Sequence, residues 1–351
     1  MIRVIVGFTG GVGSALARMV ISNPGYELVG ALVHAEDKAG KDIGDIVGVA
    51  PIGVTATRDI DELVALNADV LSWHGVRWEP EVIATFLRAG TNVYSGIGGW
   101  YLPSEPEFDL IEQAAAEGGS SLIAGGNIPG LISDTLPLFA SGFSANITKV
   151  TARQSNHVTN YPSAVQFSAG LGFGAPIPSE PHDPDAPLSV VDELWTWGIR
   201  QSAQIVAQGL GLPFHEVKIT RKDYAAAPDD LVLAPSGLEV KQGTVAGVRW
   251  TFTAFSGGTP YYELVNQQTC VLGLGPDWRQ SESEPNWRVT IEGTPNIEVV
   301  LGVGDVEGPS HVSDLNAARA LSMFARLVAA DPGWRSVLDV PAAVGAWSAN
   351  L

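Results

Sequence analysis

The stretch Ile2-Arg3-Val4-Ile5-Val6-Gly7-Phe8-Thr9-Gly10-Gly11-Val12-Gly13-Ser14 decides the fold. From Ile2 to Val6 the residues are apolar apart from Arg3, as a parallel strand covered on both faces requires. Gly7 ends that run. Val12, Leu16, Ala17, Met19 and Val20 then recur at helical spacing, and Tyr26 to Val33 resumes a β-rich pattern. Strand, glycine turn, helix and strand make one βαβ unit. Gly7, Gly10 and Gly13 fall in the turn, where bare backbone can approach a pyrophosphate and the helix N-terminus supplies N–H donors and partial positive charge. Gly7, Thr9, Gly10, Gly11, Val12 and Gly13 are therefore candidate dinucleotide-binding residues.

Working outward, the alternation continues. Helices are expected at Ile60 to Leu66, Pro80 to Ala89 and Phe108 to Glu117, and strands at Asp69 to Trp73, Asn92 to Ser95 and Ser121 to Ala124. Strands spaced by helices predict an α/β fold with a doubly wound parallel sheet and right-handed crossovers, a Rossmann domain over residues 1–138. Beyond it the texture changes. Runs rich in β-branched, aliphatic and aromatic residues at Ile147 to Arg153, Leu231 to Leu233, Thr244 to Ala254, Tyr261 to Leu272 and Trp287 to Glu292 predict an α+β domain over residues 139–313. Ser256-Gly257-Gly258-Thr259 reads as a hairpin turn, Val191 to Gly209 as a helix, and proline-rich Gly172 to Pro187 as a loop. Residues 314–351 hold a final helix, Asp314 to Ala329, expected to pack back on the first domain.

Twenty Lys and Arg against 38 Asp and Glu give a net charge of -18, a surface that repels nucleic acid and anionic lipid. Cys270 is the one cysteine, so no internal disulfide exists and nothing requires an oxidising compartment. No basic leader or long apolar run stands out, so a cytoplasmic address without a membrane is expected. The histidines form no ligand pair, and no metal is expected.

Two further sheet edges complete the expected dinucleotide site. After the second strand come His34, Lys38 and Lys41, which suit a 2′-phosphate, with Glu36 and Asp37 arguing for an unphosphorylated ribose. NADP(H) is the preferred cofactor and NAD(H) the alternative. The strand ending at Trp73 delivers Trp73, His74 and Gly75 to the carboxyl edge, and the next edge offers Gly126, Asn127 and Pro129, where Asn127 could bond a carboxamide.

With these edges quoted, the sequence resembles the dihydrodipicolinate-reductase-like superfamily, and within it the native amine dehydrogenases and 2,4-diaminopentanoate dehydrogenases. The resemblance rests on Gly7 to Gly13, on Val33-His34 through Asp42, on Gly126 to Leu131 with Asp134-Thr135-Leu136-Pro137, and on Gly304-Asp305. It implies a Rossmann domain binding NAD(P)H, a substrate domain with a mixed sheet, and a homodimer formed through that sheet. Two departures stand out. The reductases carry a histidine pair and a lysine before a Pro-Ser turn, whereas here Gln154 to Ser163 places Val158 at the lysine position, which argues against a role in lysine biosynthesis. The amine dehydrogenases place a glutamate after the strand resembling Asn92 to Ser95, and here Gly98 or Gly99 stands there.

A glycine transfers no proton, so amination needs a substitute acid such as Glu105 or Glu107, or another reaction is run. Hydride transfer needs only a polarising donor, for which Tyr101, His157 and Tyr161 are the candidates. Trp195, Trp197, Phe173, Trp250, Phe252 and Phe255 are expected to line a roomy apolar pocket. The expected function is NAD(P)H-dependent oxidation or reduction of a medium-sized, largely apolar ketone, imine or amine. A true amine dehydrogenase with a substitute acid and a non-catalytic NADP-binding sensor are the alternatives. Gly98→Glu or Gly99→Glu is then expected to introduce ammonia-dependent turnover.

Overall fold

The computed structural model describes residues 1–159, 164–303 and 311–345. The chain forms two compact units, Met1–Gly130 with Ser310–Leu351, and Leu131–Pro309.

The first unit opens with β1 (Ile2–Gly7), α1 (Gly11–Ser22) and β2 (Tyr26–Leu32). It continues through α2 (Ile43–Val47), β3 (Ala56–Thr57), α3 (Ile60–Val64), β4 (Val70–Trp73), α4 (Pro80–Arg88), β5 (Asn92–Ser95), α5 (Phe108–Gly118) and β6 (Ser121–Ala124). The second unit holds α6 (Leu136–Ser141), β7 (Ala145–His157), α7 (Val190–Leu210), β8 (Glu216–Ala226), β9 (Leu231–Leu233), β10 (Leu238–Val240), β11 (Val245–Ser256), β12 (Thr259–Thr269), β13 (Trp287–Thr294) and β14 (Ile297–Leu301). The chain then returns to the first unit as α8 (His311–Ala329) and β15 (Gly333–Arg335).

Seven strands in the order β15-β6-β5-β4-β1-β2-β3, each pair parallel, form the first sheet. The order reverses between β1 and β4. In an open α/β sheet the crevice outside the carboxyl ends at such a reversal is where ligands bind. Side-chain alternation explains why β1 is apolar throughout: Val4 and Val6 pack with Leu16, Phe324 and Leu327 on the α1 and α8 side, and Ile5 packs with Phe86, Leu87 and Ile111 on the other. Truncating fully buried Phe324 to Ala would cost about 3–5 kcal/mol, so α8 is an integral layer of this unit.

The second unit is built on a six-stranded mixed sheet, β14-β13-β7-β12-β11-β8, in which only β12 and β7 pair in parallel. Gly257 and Gly258, both with positive φ, make the tight turn between β11 and β12. α7 covers one face, tied by Trp250 Nε1 donating to Asp192 Oδ1 at 2.8 Å and Tyr261 Oη donating to the Ala203 carbonyl at 2.7 Å. Phe173, Trp250 and Phe252 are almost fully buried, so they belong to the core and not to the wall of a roomy pocket. Sequence pattern also missed β3, β8, β10, β14 and β15, and α8 begins at His311, ahead of the expected start.

Candidate functional site

At the carboxyl edge of the first sheet, Gly10 caps α1 in an extended conformation with no side chain capping the helix and no acid in its first turn. The N–H groups of that turn are therefore left for an incoming acceptor. Two glycines in this loop do different jobs. A Cβ on Gly10 would have nothing within 4 Å, whereas one on Gly13 would fall 1.8 Å from the Phe8 carbonyl oxygen. Gly13 lets helix and turn close on each other, and Gly10 keeps the approach to the helix clear. Such a cradle fits a diphosphate.

Lys38 brings positive charge to the same turn. Its Nζ donates to the Thr9 carbonyl at 3.0 Å and lies 3.1 Å from Thr9 Oγ1. His34 lies flat on Phe8, ring centroids 4.1 Å apart, and Phe8 itself holds a φ of +68°. Glu36, an acid that would argue for a free ribose, is paired with Arg58 at 3.0 Å. Lys41 is exposed, and Val12 packs partly against the core.

Of the next edge, Trp73 puts only its backbone forward, because its indole is buried and donates to the Arg77 carbonyl at 3.0 Å. His74 donates its backbone N–H to the Gly7 carbonyl at 3.1 Å, and its Nε2 lies 2.8 Å from Ser72 Oγ. Burial holds its pKa down to about 4, so the imidazole is neutral at physiological pH. Gly75 lies against the Phe8 ring.

The Gly125-Gly126-Asn127 turn is braced from both sides. Tyr94 Oη donates to the Gly125 carbonyl at 2.9 Å, and Asn316 Oδ1 accepts from the Asn127 backbone N–H at 2.8 Å. Pro129 follows in a cis peptide. Asn316 comes from α8, as does Ser313, whose Oγ lies 2.7 Å from where a Cβ of Gly11 would be and forms no hydrogen bond among the described residues. Both escaped sequence reasoning. They stand almost the full chain length from Gly11, and no local motif announces them.

The Gly98-Gly99 turn after β5 is packed shut. Gly98 and Gly99 have φ of +75° and +76°, and Trp78 covers both. Trp78 Nε1 donates to Glu107 Oε1 at 2.6 Å, and Trp334 Nε1 donates to the Gly99 carbonyl at 2.8 Å. Glu107 is thereby committed to an indole. Tyr101, half-buried and edge-on to Trp334 at 5.5 Å, has its phenol pKa raised by burial and stays protonated.

In the second unit, alternation along β7 puts Arg153, Ser155 and His157 on one face and Gln154 and Asn156 on the other. His157 Nδ1 lies 2.5 Å from Glu282 Oε1. On the opposite face Trp287 Nε1 donates to Gln154 Oε1 at 2.9 Å, Gln154 Nε2 to Asn266 Oδ1 at 3.3 Å, and Gln268 Nε2 to the same Asn266 oxygen at 2.6 Å. This buried string of amides was not visible in the sequence. Asp134 takes hydrogen bonds from Ser202 Oγ at 3.0 Å and Thr135 Oγ1 at 3.0 Å. Asn160 to Ser163, Tyr161 among them, and Gly304-Asp305 lie outside the described residues.

A parallel sheet with a glycine turn at its order reversal, joined to a mixed-sheet unit, is the build of a dehydrogenase, and the chain is an oxidoreductase. Residues 131–350 match the model of the 2,4-diaminopentanoate dehydrogenase C-terminal domain family, to which the chain belongs. Residues 2–117 match the N-terminus of dihydrodipicolinate reductase. An amine dehydrogenase of Streptomyces virginiae is 29% identical over 97% of this chain and 96% of its own length. A 2,4-diaminopentanoate dehydrogenase of Acetoanaerobium sticklandii is 23% identical, covering 97% and 93%. The solved amine dehydrogenase of Mycobacterium smegmatis superposes with a TM-score of 0.75 at 18% identity, covering 98% of this chain and 97% of that one, and so shares the fold.

Proposed function

We propose that the chain moves a hydride between a nicotinamide dinucleotide, NADP(H) in preference to NAD(H), and a medium-sized, largely apolar ketone, imine or amine. The observation that carries this reading is the glycine turn: an uncapped helix with open space at Gly10 and the Lys38 ammonium fixed on Thr9. When bound, the nicotinamide supplies or accepts the hydride. The chain's residues do the rest.

Gly7, Thr9, Gly10, Gly11, Val12 and Gly13 hold the diphosphate, and Lys38 with His34 and Lys41 faces the adenosine ribose, where a 2′-phosphate gains from the cations. His74, kept neutral, and the backbone of Trp73 and Gly75 form one edge of the nicotinamide site, and Gly126, Asn127 and Pro129 the other. Hydride addition to a carbonyl or a neutral imine leaves an oxygen or nitrogen that needs a proton, whereas a protonated iminium carries that proton already. Tyr101, held protonated, His157, held on Glu282, and Tyr161 are the groups assigned to give it. Residues 1–138 thus act as the cofactor domain, 139–313 as the substrate and dimerisation domain of a homodimer, and 314–351 as a return segment.

The names of the relatives favour an amine as one partner of the reaction, while glycine at positions 98 and 99 and the engaged Glu107 favour a carbonyl partner that needs no added ammonia. Turnover of NADPH and NADH across a ketone panel, with and without ammonia, decides between them. Ammonia-independent oxidation of NADPH is expected, with Lys38→Met lowering NADPH affinity about tenfold and NADH affinity much less. Strict ammonia dependence would establish the amine route instead. No nicotinamide binding at saturating concentrations would end the proposal.

A further inference from the structure

Away from the dinucleotide site, the second unit concentrates cations that an acidic chain can little spare. The segment from Pro276 to Asn286 runs along β7 and β13 and encloses with them a cavity of about 400 Å³. Arg153, Arg279 and Arg288 line it, with the indoles of Trp278 and Trp287. A volume near 400 Å³ is within the range of small-molecule pockets, about 300–1,000 Å³.

Arg279 is the most telling of these residues, being only 3% exposed. Its Nη1 donates to the Ser155 carbonyl at 2.7 Å and its Nη2 to the Glu282 carbonyl at 2.8 Å, while its buried Nε has no partner among the described residues. The two Nη bonds fix the Arg279 guanidinium beside the cavity that it helps to line. Arg153 spends Nε on Ser155 Oγ at 3.2 Å, and Nη2 on Gln267 Oε1 and the Asp277 carbonyl, both at 3.1 Å, which leaves Nη1. Burial, then the charges of Arg249 and Arg288, hold its pKa below the ordinary arginine value, against the opposing pull of Asp277 and Glu284. Arg288 is ion-paired with Glu298. Arg249 is held by Asp223 and lies 5.1 Å from the Trp278 ring centroid, fixing that indole at the wall.

Asp277 and Glu284 also line the cavity and oppose an anion. Glu284 Oε1 already accepts from the Gln280 backbone N–H at 3.1 Å. The lining thus holds three guanidiniums and two carboxylates, with Arg288 also paired to Glu298, so what favours an anion is the placing of the guanidinium donors and not an excess of charge.

We propose that this cavity binds a compact oxyanion, a carboxylate or phosphate with at most a small apolar body, whose oxygens meet Arg153, Arg279 and Arg288 and whose body packs on Trp278. Planar guanidiniums suit such oxygens because two donors can be offered in one plane. The site draws on no residue assigned above to the dinucleotide.

Calorimetric titration of the intact chain with inorganic phosphate and, separately, with benzoate tests it, with benzylamine as the cationic control. At least one anion is expected to bind with a Kd of about 1 mM or tighter. Arg153→Gln and Arg288→Gln should each weaken it about tenfold. Arg288 is exposed, so its replacement leaves the packing intact, which near-ultraviolet dichroism checks. Phosphate without benzoate, or the reverse, identifies the kind of oxyanion. Binding that survives both substitutions would place the anion elsewhere, at the glycine turn for example, and would overturn the proposal. So would silence from both anions up to about 20 mM, or binding of benzylamine alone, which would give the cavity to Asp277 and Glu284.

Discussion

A Cβ on Gly98 would fall 2.5 Å from Cγ of Trp78, so the indole stands where any side chain leaving that residue would have to pass. Trp78 is itself fixed by Glu107, and the adjoining Gly99 carbonyl by Trp334. The turn is thus a packed aromatic layer, with no room for a side chain at Gly98 unless Trp78 moves. A glutamate introduced at this turn would have to displace Trp78.

Gly98→Glu is predicted to destabilise the fold by about 3 kcal/mol, the sum of a side chain at positive φ and overpacking against Trp78. Urea denaturation measures it. Adding Trp78→Ala should recover part of the loss, whereas a single variant as stable as the parent would mean that Trp78 does not sit over the turn.

Gly10→Ala and Gly13→Ala should separate binding from folding. The first has open space and should leave stability within about 0.5 kcal/mol while weakening dinucleotide binding about tenfold or more, because the methyl stands where the diphosphate approaches. The second drives a methyl into the Phe8 carbonyl and should cost about 3 kcal/mol of stability or more. Equal effects from the two on melting temperature would contradict this division of labour.

His74 predicts a pH dependence. The unfolded imidazole takes its proton near the ordinary value of 6.5, the folded one only near 4, so protonation favours the unfolded chain. Stability should therefore fall as pH drops from about 6.5 towards 4, by of order 2 kcal/mol from this residue. His74→Gln should flatten that part of the curve when denaturation is followed at several pH values. A parent and variant with parallel curves would refute the shift.

Ser313→Ala should raise the dinucleotide dissociation constant about threefold to tenfold with no change in melting temperature, since the hydroxyl forms no hydrogen bond among the described residues. Fluorescence titration with reduced dinucleotide reads it directly. Unaltered affinity would leave the Gly11 neighbour a packing contact and no more.

How far the sequence could be read follows from the range of each interaction. The β1-turn-α1-β2 unit was plain because apolar period and glycine placement lie within one short segment, and the alternation up to β6 followed from the same signal. The lid of Trp78 over Gly98, the reach of Ser313 and Asn316 from α8, and the Glu282 partner of His157 were not legible, since each joins residues far apart in the chain. Phe173 and Trp250 were misread for another reason. An aromatic residue in a strand announces burial but not which face buries it or against what.

The return of the last segment carries a consequence for biosynthesis. Until α8 and β15 leave the ribosome, the first sheet exposes the open edge of β6 and the apolar surface that Phe324 and Leu327 will cover. All of Leu131–Pro309 is translated in that interval. The half-finished nucleotide fold must wait through it, a natural client for a chaperone.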